Sequence, residues 1–326
     1  MHRTPPFAVV LAASLAACSS KPGGTSASSH GAASSGSSGS SGSVSSSAGA
    51  GSGGSTGSGG HGGQAGHGGM GGHGGADPCA TALLCDDFEA YAPGSPPGGK
   101  WTVSTNNGAV VVDTGRAHSG SRAVKVSADA TSGYRSAMIS LADPSLLPVA
   151  GNVVYGRMMF WLESAPQGNV HWTFIDGSGP VSGQGYHAVY RYGGQTPITQ
   201  NSQFVGSELM ANYDTPDSYQ SPPVGPSSDC WLHANQKVVP VGGWACAEWR
   251  FDGPKNEMHF WLDGAEVPDL TVAGLGQGCV HQNASFPWLA PSFERIELGW
   301  ESYQADEARV LWIDDVVLSK QRIGCP

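Results

Sequence analysis

The sequence has few basic residues. Its 16 lysines and arginines stand against 26 aspartates and glutamates, which gives a formal net charge of −10. Binding to nucleic acid needs Lys and Arg clustered along one face, so this composition argues against a nucleic-acid partner. The same acidity counts against a polyanionic ligand unless the basic groups gather in one cleft.

Three other signals are missing. The apolar run from Phe7 to Ala17 is too short to span a membrane as a mature helix. The sequence contains no CxxC pair, which argues against a structural zinc site. It also shows no convincing amphipathic pattern of ten residues, so a helical bundle is not expected.

The N-terminus carries an export signal. A basic start at Met1–Arg3 precedes the apolar run, which ends in Leu15-Ala16-Ala17-Cys18. This ending resembles the bacterial lipobox, so we expect residues 1–17 to be a signal peptide and Cys18 to be lipidated. Ser19 after the cysteine favours an outer-membrane lipoprotein, periplasmic or on the cell surface, with its lipid anchor as its contact with the membrane. The alternative is an ordinary signal peptide with a chance cysteine.

Residues 18–76 form a second segment, rich in Gly, Ser and His. It has almost no large apolar side chains to bury, so we expect a disordered tether. A flexible chain of this length has a root-mean-square span of about 40 Å. His61, His67 and His73 recur every six residues. They indicate either a weak metal-binding tract or a low-complexity spacer.

Six cysteines remain after Cys18. In an exported domain, six cysteines predict three disulfides, but fifteen pairings are possible and sequence alone cannot choose among them. A bond between Cys230 and Cys246 is favoured because the loop between them is short and contains Pro and Gly; closing it would stabilise the fold by roughly 3 kcal/mol. The six are Cys79, Cys85, Cys230, Cys246, Cys279 and Cys325.

The sequence pattern from residue 77 to 326 is typical of one all-β domain. Short stretches rich in Val, Ile, Tyr, Phe and Trp alternate with turn residues, which predicts a two-sheet β-sandwich or jelly roll. Residues 249–264 have the pattern of a hairpin. We expect a monomer. The predicted strands are Ala109–Asp113, Ala123–Ala128, Val153–Leu162, Val170–Asp176, Tyr186–Tyr192, Ser207–Tyr213, Ala245–Asp252, Glu257–Leu262, Phe293–Trp300 and Val310–Ser319.

Four motifs make residues 80–326 similar to one family. They are Asp87-Phe88-Glu89, the Trp244–Trp249 segment, Trp261-Leu262-Asp263-Gly264 and Trp312-Ile313-Asp314-Asp315. Together they resemble a group of concanavalin A-like β-jelly rolls that holds glucuronan lyases, alginate lyases and a fungal cellulose-induced relative. The resemblance implies a carbohydrate-active domain on this fold.

The resemblance also implies a structural calcium site near the chain ends. Its ligands would be Glu89, Ser119, Arg122 through its carbonyl, and Asp315. Calcium prefers six to eight hard oxygen ligands in loops. The alternative is a set of unrelated polar turns.

The favoured activity is cleavage of a uronate-containing polysaccharide by β-elimination. This chemistry needs a base for the C5 proton, an acid for the leaving oxygen, and groups that neutralise the carboxylate. We assign His171 as base and Tyr303 as acid, or Tyr303 in both roles; the resemblance places the catalytic tyrosine there. Arg191 and Gln195, four residues apart on one strand, would neutralise the carboxylate.

Strand alternation places the candidate base. His171, Thr173 and Ile175 would share the groove face, and the apolar residues between them would face the core. Around this set, the candidates for substrate binding are His187, Tyr190, Tyr192 and Asn212.

Two other functions stay open. A glycoside hydrolase would use two carboxylates, and Glu297 and Glu301 lie four apart on one strand face. This segment resembles a laminarinase-type motif, but Gly299 stands where that motif has an aspartate. A non-catalytic carbohydrate-binding or lectin-like module is the second alternative, because fold does not decide function.

Overall fold

The computed structural model describes residues 78–279 and 285–326 of the chain. The predicted signal peptide, Cys18 and the tether lie outside the described residues. Within the described ranges, short 3-10 helices occupy Pro78–Thr81, Pro216–Tyr219 and Pro268–Leu270. The strands of the described part are β1 Leu84–Asp86, β2 Trp101–Asn106, β3 Gly108–Asp113, β4 Ala123–Ala128, β5 Arg135–Leu141, β6 Val153–Leu162, β7 Trp172–Pro180, β8 His187–Gln200, β9 Gln203–Asp214, β10 Asp229–Val238, β11 Ala245–Asp252, β12 Glu257–Leu262, β13 Ala265–Glu266, β14 Arg295–Ser302 and β15 Arg309–Ser319.

The strands form two antiparallel sheets, which confirms the predicted jelly roll. The front sheet has the order β10-β9-β8-β7-β14-β5-β2. The back sheet has the order β13-β12-β11-β6-β15-β4-β3, and β1 pairs with the C-terminal half of β15. The described residues contain no helix that is long and apolar enough to cross a membrane.

Aromatic side chains fill the space between the sheets. Trp172 stacks on Trp300 within the front sheet, with ring centroids 4.9 Å apart. Tyr192 reaches across to Phe251 and Phe260 of the back sheet, with centroids 5.9 and 4.9 Å away. Each such pair adds about 0.5–1.5 kcal/mol beyond the area it buries. The inward faces of both sheets therefore form the core, so a ligand-binding site is expected on an outward face.

The described residues contain three disulfides, as expected from the cysteine count. They join Cys79 to Cys85, Cys230 to Cys279 and Cys246 to Cys325. The favoured Cys230–Cys246 pair is wrong: Cys230 lies on β10 at the edge of the front sheet, whereas Cys246 lies on β11 in the back sheet. A short loop in sequence therefore does not bring its two ends together here, because the chain changes sheets within it.

Candidate active site

One row of residues crosses all seven strands of the front sheet. Successive members are Cα partners, so their side chains point to the same face. That face is directed away from the core, because Tyr190 and Tyr192, on either side of Arg191 along β8, pack against the back sheet. The row consists of Trp231, Asn212, Arg191, Asp176, Glu297, Ser140 and Thr102.

A groove of about 730 Å³ lies over this face. Its floor contains Arg191, Asp176 and Glu297 from the middle of the row, and Tyr134 and Glu301 lie further along its lining. Such a mixture of titratable groups and an exposed aromatic ring on a rigid sheet is typical of a site that binds a polar ligand.

A bulge in β7 decides which residues reach the groove. Thr173 pairs with Gly193 of β8 but Ile175 pairs with Tyr192, so Phe174 is an extra residue on β7. Because the bulge shifts the alternation by one residue, Ile175 turns into the core and Asp176 takes the groove face. The prediction that Ile175 shares a face with His171 is therefore wrong.

His171 and Tyr303 are held side by side. The backbone N–H of Tyr303 donates to the carbonyl of His171 at 3.2 Å, and the N–H of His171 donates to the side-chain oxygen of Gln304 at 2.6 Å. Their rings are 5.1 Å apart between centroids. The start of β7 and the loop after β14 are thus tied together, which places imidazole and phenol next to each other.

Buried arginines fix the loop that carries Tyr303. Arg135, which has no exposed surface, donates through Nε to the hydroxyl of Ser302 at 2.8 Å and through a terminal nitrogen to Asp306 at 2.7 Å. Arg309 also binds the Asp306 carboxylate. Because every carboxylate oxygen of Asp306 meets a guanidinium, the loop has little freedom to move.

The surroundings set the protonation of the two candidate catalytic groups. Burial, together with the charges of Arg191 and His233, lowers the pKa of His171 to about 3, so its imidazole is neutral. Burial raises the pKa of Tyr303 well above its usual value; Arg191 opposes this rise and Glu301 adds to it. At neutral pH the pair therefore consists of an unprotonated imidazole and a protonated phenol.

The guanidinium of Arg191 is held by two neighbouring side chains. Its terminal nitrogen donates to Asp214 at 2.9 Å and lies 3.5 Å from the side-chain oxygen of Asn212. Asn212 donates in turn to the carbonyl of Cys230 at 2.9 Å. Asn212 thus positions the guanidinium. The Nε of Arg191 and the Nε2 of His171 are both buried without a hydrogen-bond partner in the described residues, as expected where a ligand is to bind.

The remaining predicted contacts divide between the groove and the core. His187 is exposed at the groove rim, where its Nδ1 lies 2.7 Å from Asp217. Gln195 is partly buried, four residues after Arg191 on β8. Tyr190 and Tyr192 are buried in the core, with hydroxyls bound to the carbonyls of Trp288 and Leu270. The prediction that these two tyrosines bind substrate is wrong, because the residues on a strand alternate between its faces.

Three carboxyl groups near the middle of the front sheet line the groove. Asp176 and Glu297 are direct partners on neighbouring strands, and Glu301 lies on the same strand as Glu297. Burial is the main cause that raises the pKa of both Asp176 and Glu297, and their neighbouring carboxylates add to it. Glu301 accepts a hydrogen bond from Tyr134 at 2.8 Å. The floor therefore carries less negative charge than its composition suggests.

The structure also brings together the segments predicted to bind calcium. The Glu89 carboxylate accepts hydrogen bonds from the backbone of Ser121 and Arg122, and the Asp315 carboxylate accepts one from the Ser119 hydroxyl at 2.6 Å. Arg122 also donates to the carbonyls of Glu89 and Tyr91. The hard oxygens of Glu89, Ser119 and Asp315 are of the type that calcium prefers. No group of three or more His, Cys, Asp or Glu side chains suited to a metal occurs in the described residues, so calcium binding stays a prediction.

Asp176 and Tyr134 are among the groove residues that were not predicted from the sequence. Asp176 was hidden by the bulge, which leaves no signal in the local pattern. Tyr134 lies just before β5, a strand that was not predicted. The residue is 43% exposed, and its ring centroid is 5.6 Å from that of Tyr303. An exposed aromatic residue after a Ser-Gly turn was the available signal for Tyr134.

Comparison with known proteins identifies one family and several solved structures to which the chain is similar. A family model described as polysaccharide lyase-like, Cip1-like core domain, matches residues 94–321. The solved structure of a cellulose induced protein, Cip1, is 25% identical with a TM-score of 0.52, over 74% of this chain and 100% of that one. An endo-beta-1,4-glucuronan lyase from the fungus Trichoderma reesei is 16% identical with a TM-score of 0.46, over 71% and 95% of the two chains. An alginate lyase from Chlorella virus is 14% identical with a TM-score of 0.40, over 69% and 94%. No curated protein matches the chain.

Proposed function

Because the chain belongs to the Cip1-like core-domain family of polysaccharide lyase-like proteins, we propose that it binds a uronate-containing polysaccharide and cleaves it by β-elimination. The observation that supports this proposal is that the imidazole of His171 and the phenol of Tyr303 lie side by side, close enough to Arg191, which lines the groove, for its charge to act on both. The rings of His171 and Tyr303 are 5.1 Å apart, and the charge of Arg191 acts on both groups. Membership of this family by itself supports a polysaccharide-active module, without specifying the reaction.

The proposed reaction moves one proton to each of two groups. The imidazole of His171 takes the C5 proton of the uronate, and the electron pair left behind forms the C4–C5 double bond as the C4–O bond breaks. The phenol of Tyr303 gives its proton to the leaving oxygen. Arg191 and Gln195 stabilise the negative charge that builds up on the carboxylate in the enolate-like transition state. The new chain end is unsaturated.

The protonation states of the free site suit this division of roles. A base must start unprotonated, and the lowered pKa of His171 ensures that it does. A pKa of about 3 makes a weak base, but an incoming carboxylate next to the ring favours the imidazolium and raises that pKa. An acid must start protonated, and the raised pKa of Tyr303 keeps its proton in place.

The proposed location is outside the cytoplasm. Three disulfides within the described residues support an oxidising compartment. Lipidation at Cys18 would attach the domain to the bacterial outer membrane through the tether. Incorporation of labelled fatty acid by the natural chain, and its loss in Cys18→Ala, would test the anchor.

Hydrolysis is the second candidate function, and the carboxyl groups on the groove floor favour it. Glu297, with its raised pKa, has the state expected of a general acid. Against it, a side chain at Gly299 would place its Cβ 2.2 Å from the carbonyl oxygen of Ala137. The aspartate of the laminarinase-type motif therefore has no room on this strand. A binding module without catalysis is the third candidate.

One set of variants separates these functions. Tyr303→Phe removes the acid and should lower β-elimination by about 10²–10⁴-fold, measured as ultraviolet absorbance of unsaturated ends. Glu301→Gln keeps a hydrogen-bond acceptor for Tyr134 and should retain elimination. Tyr155→Phe, on the back sheet, is the matched control and should behave as the natural chain.

The opposite pattern would favour hydrolysis. If Glu301→Gln abolishes cleavage while Tyr303→Phe does not, and reducing ends appear without ultraviolet absorbance, the lyase proposal is wrong. Retardation in a polysaccharide gel without any release of product would leave the binding module.

A further inference from the structure

We propose that Asp176 recognises the substrate's carboxylate: in its protonated form its carboxyl group donates a hydrogen bond to the same uronate carboxylate that Arg191 binds. This inference rests on the proposed function and adds a specificity-determining residue to it. Neither the sequence pattern nor the family resemblance placed Asp176 in the site.

The geometry gives Asp176 direct access to the ligand of Arg191. The two residues are Cα partners on β7 and β8, and both line the groove. Strands in a sheet lie about 4.8 Å apart, so side chains at partner positions can contact opposite edges of one carboxylate. Asp176 is 5% exposed, and its Oδ1 has no hydrogen-bond partner in the described residues. A buried, unpaired oxygen that lines a groove is explained by a ligand that pairs it.

The charges around Asp176 keep its proton on. Burial raises its pKa first of all, and Glu297 and Glu301 on β14 raise it further. Arg191 on β8 and Arg295 on β14 oppose this rise without cancelling it. Asp176 and Glu297 face each other in low-dielectric surroundings, and two buried carboxylates at such positions are not both ionised.

A protonated Asp176 removes the electrostatic objection to an acidic substrate. As a carboxylate it would repel the uronate, and the pairing of Arg191 with Asp214 would leave little net positive charge to compensate. As a neutral acid it supplies an O–H donor instead. Together, the O–H of Asp176 and the free Nε of Arg191 offer two donors to one carboxylate, which suits its planar shape.

The test uses two substitutions of almost the same size. Asp176→Asn keeps a neutral donor, whereas Asp176→Leu has none. On the uronate polymer that the natural chain cleaves, we expect Asp176→Leu to lower kcat/KM by about 10- to 100-fold, the effect of one hydrogen bond to a charged group. Asp176→Asn should lower it by less than about fivefold. Asp129→Asn, the same change on the exposed surface, is the control.

The pH profile gives a readout that a merely structural role would not move. The kcat/KM of the natural chain should fall on the alkaline side as Asp176 loses its proton, and this limb should be absent in Asp176→Asn. The inference is wrong if Asp176→Asn loses as much activity as Asp176→Leu, or if the natural chain and Asp176→Asn share the same alkaline limb.

A binding measurement keeps this inference separate from the lyase proposal. Calorimetric titration with a glucuronate oligomer at several pH values needs no cleavage. The inference holds, even where no unsaturated product forms, if two results are found. The affinity of the natural chain for the oligomer falls at high pH, and the affinity of Asp176→Asn does not. If the natural chain neither binds nor cleaves uronate polymers, both proposals are overturned.

Discussion

Removal of the disulfide between Cys246 and Cys325 should destabilise the domain more than removal of the one between Cys79 and Cys85. In the chain-entropy treatment a disulfide acts by limiting the unfolded chain, so its effect grows with the loop that it closes. The separation of 79 residues corresponds to about 4.5 kcal/mol, and the separation of 6 residues to about 2.2 kcal/mol. For a domain of this size these values correspond to Tm losses of roughly 9–18 °C and 4–9 °C.

The assay is scanning calorimetry on two double variants, each with both cysteines of one bond replaced by alanine. Cys79→Ala with Cys85→Ala is the matched control, since it removes the same chemical groups and closes a much shorter loop. Equal Tm losses, or a larger loss in the control, would refute the reasoning. Peptide mapping that found a bond between Cys230 and Cys246 would refute the pairing itself.

Two further predictions concern pH and metal. The pKa of His171 is lowered in the folded chain, so the unfolded chain binds more protons than the folded chain below pH 6.5. As pH falls from 6.5 toward 4, the natural chain should therefore lose stability relative to His171→Gln. Urea midpoints that stay identical for the two proteins across that range would contradict the burial of His171. If Glu89, Ser119 and Asp315 bind calcium, the metal at 100 times its Kd should stabilise the fold by about 2.7 kcal/mol, seen as a chelator-reversible rise in Tm that Glu89→Gln abolishes. A Tm that is the same with calcium and with chelator would contradict that site.

The sequence identified the strands whose two faces differ in polarity. Ala123–Ala128, Val153–Leu162, Ala245–Asp252 and Glu257–Leu262 have the predicted bounds. Alternation or a clear turn on each side marks them. Arg135–Leu141 was not predicted, because all its residues are buried and its Arg and Ser residues hide the apolar ones. Its arginine is neutralised by Asp306, a partner far away in sequence.

The candidate site was predictable only where the backbone is regular. Strand alternation predicted the faces of His171 and Arg191, the resemblance to a known family predicted the place of Tyr303, and the rings of His171 and Tyr303 do lie side by side. Asp176 was not predicted because one bulged residue reverses the faces of β7. Such a bulge depends on the pairing of β7 with β8 and β14, which the local sequence does not reveal. The same limit applies to the disulfides, which depend on the distance between sheets and not on the separation in sequence.

The central claim is that a neutral imidazole, a phenol and a guanidinium act together on a uronate, and that these groups eliminate the 4-linked sugar. The most direct measurement is continuous ultraviolet absorbance during incubation of the natural chain and Tyr303→Phe with a panel of uronate polymers. The account predicts that absorbance rises with the natural chain on at least one polymer and stays near the baseline with Tyr303→Phe. Absorbance that rises equally with both proteins, or with neither, would contradict it.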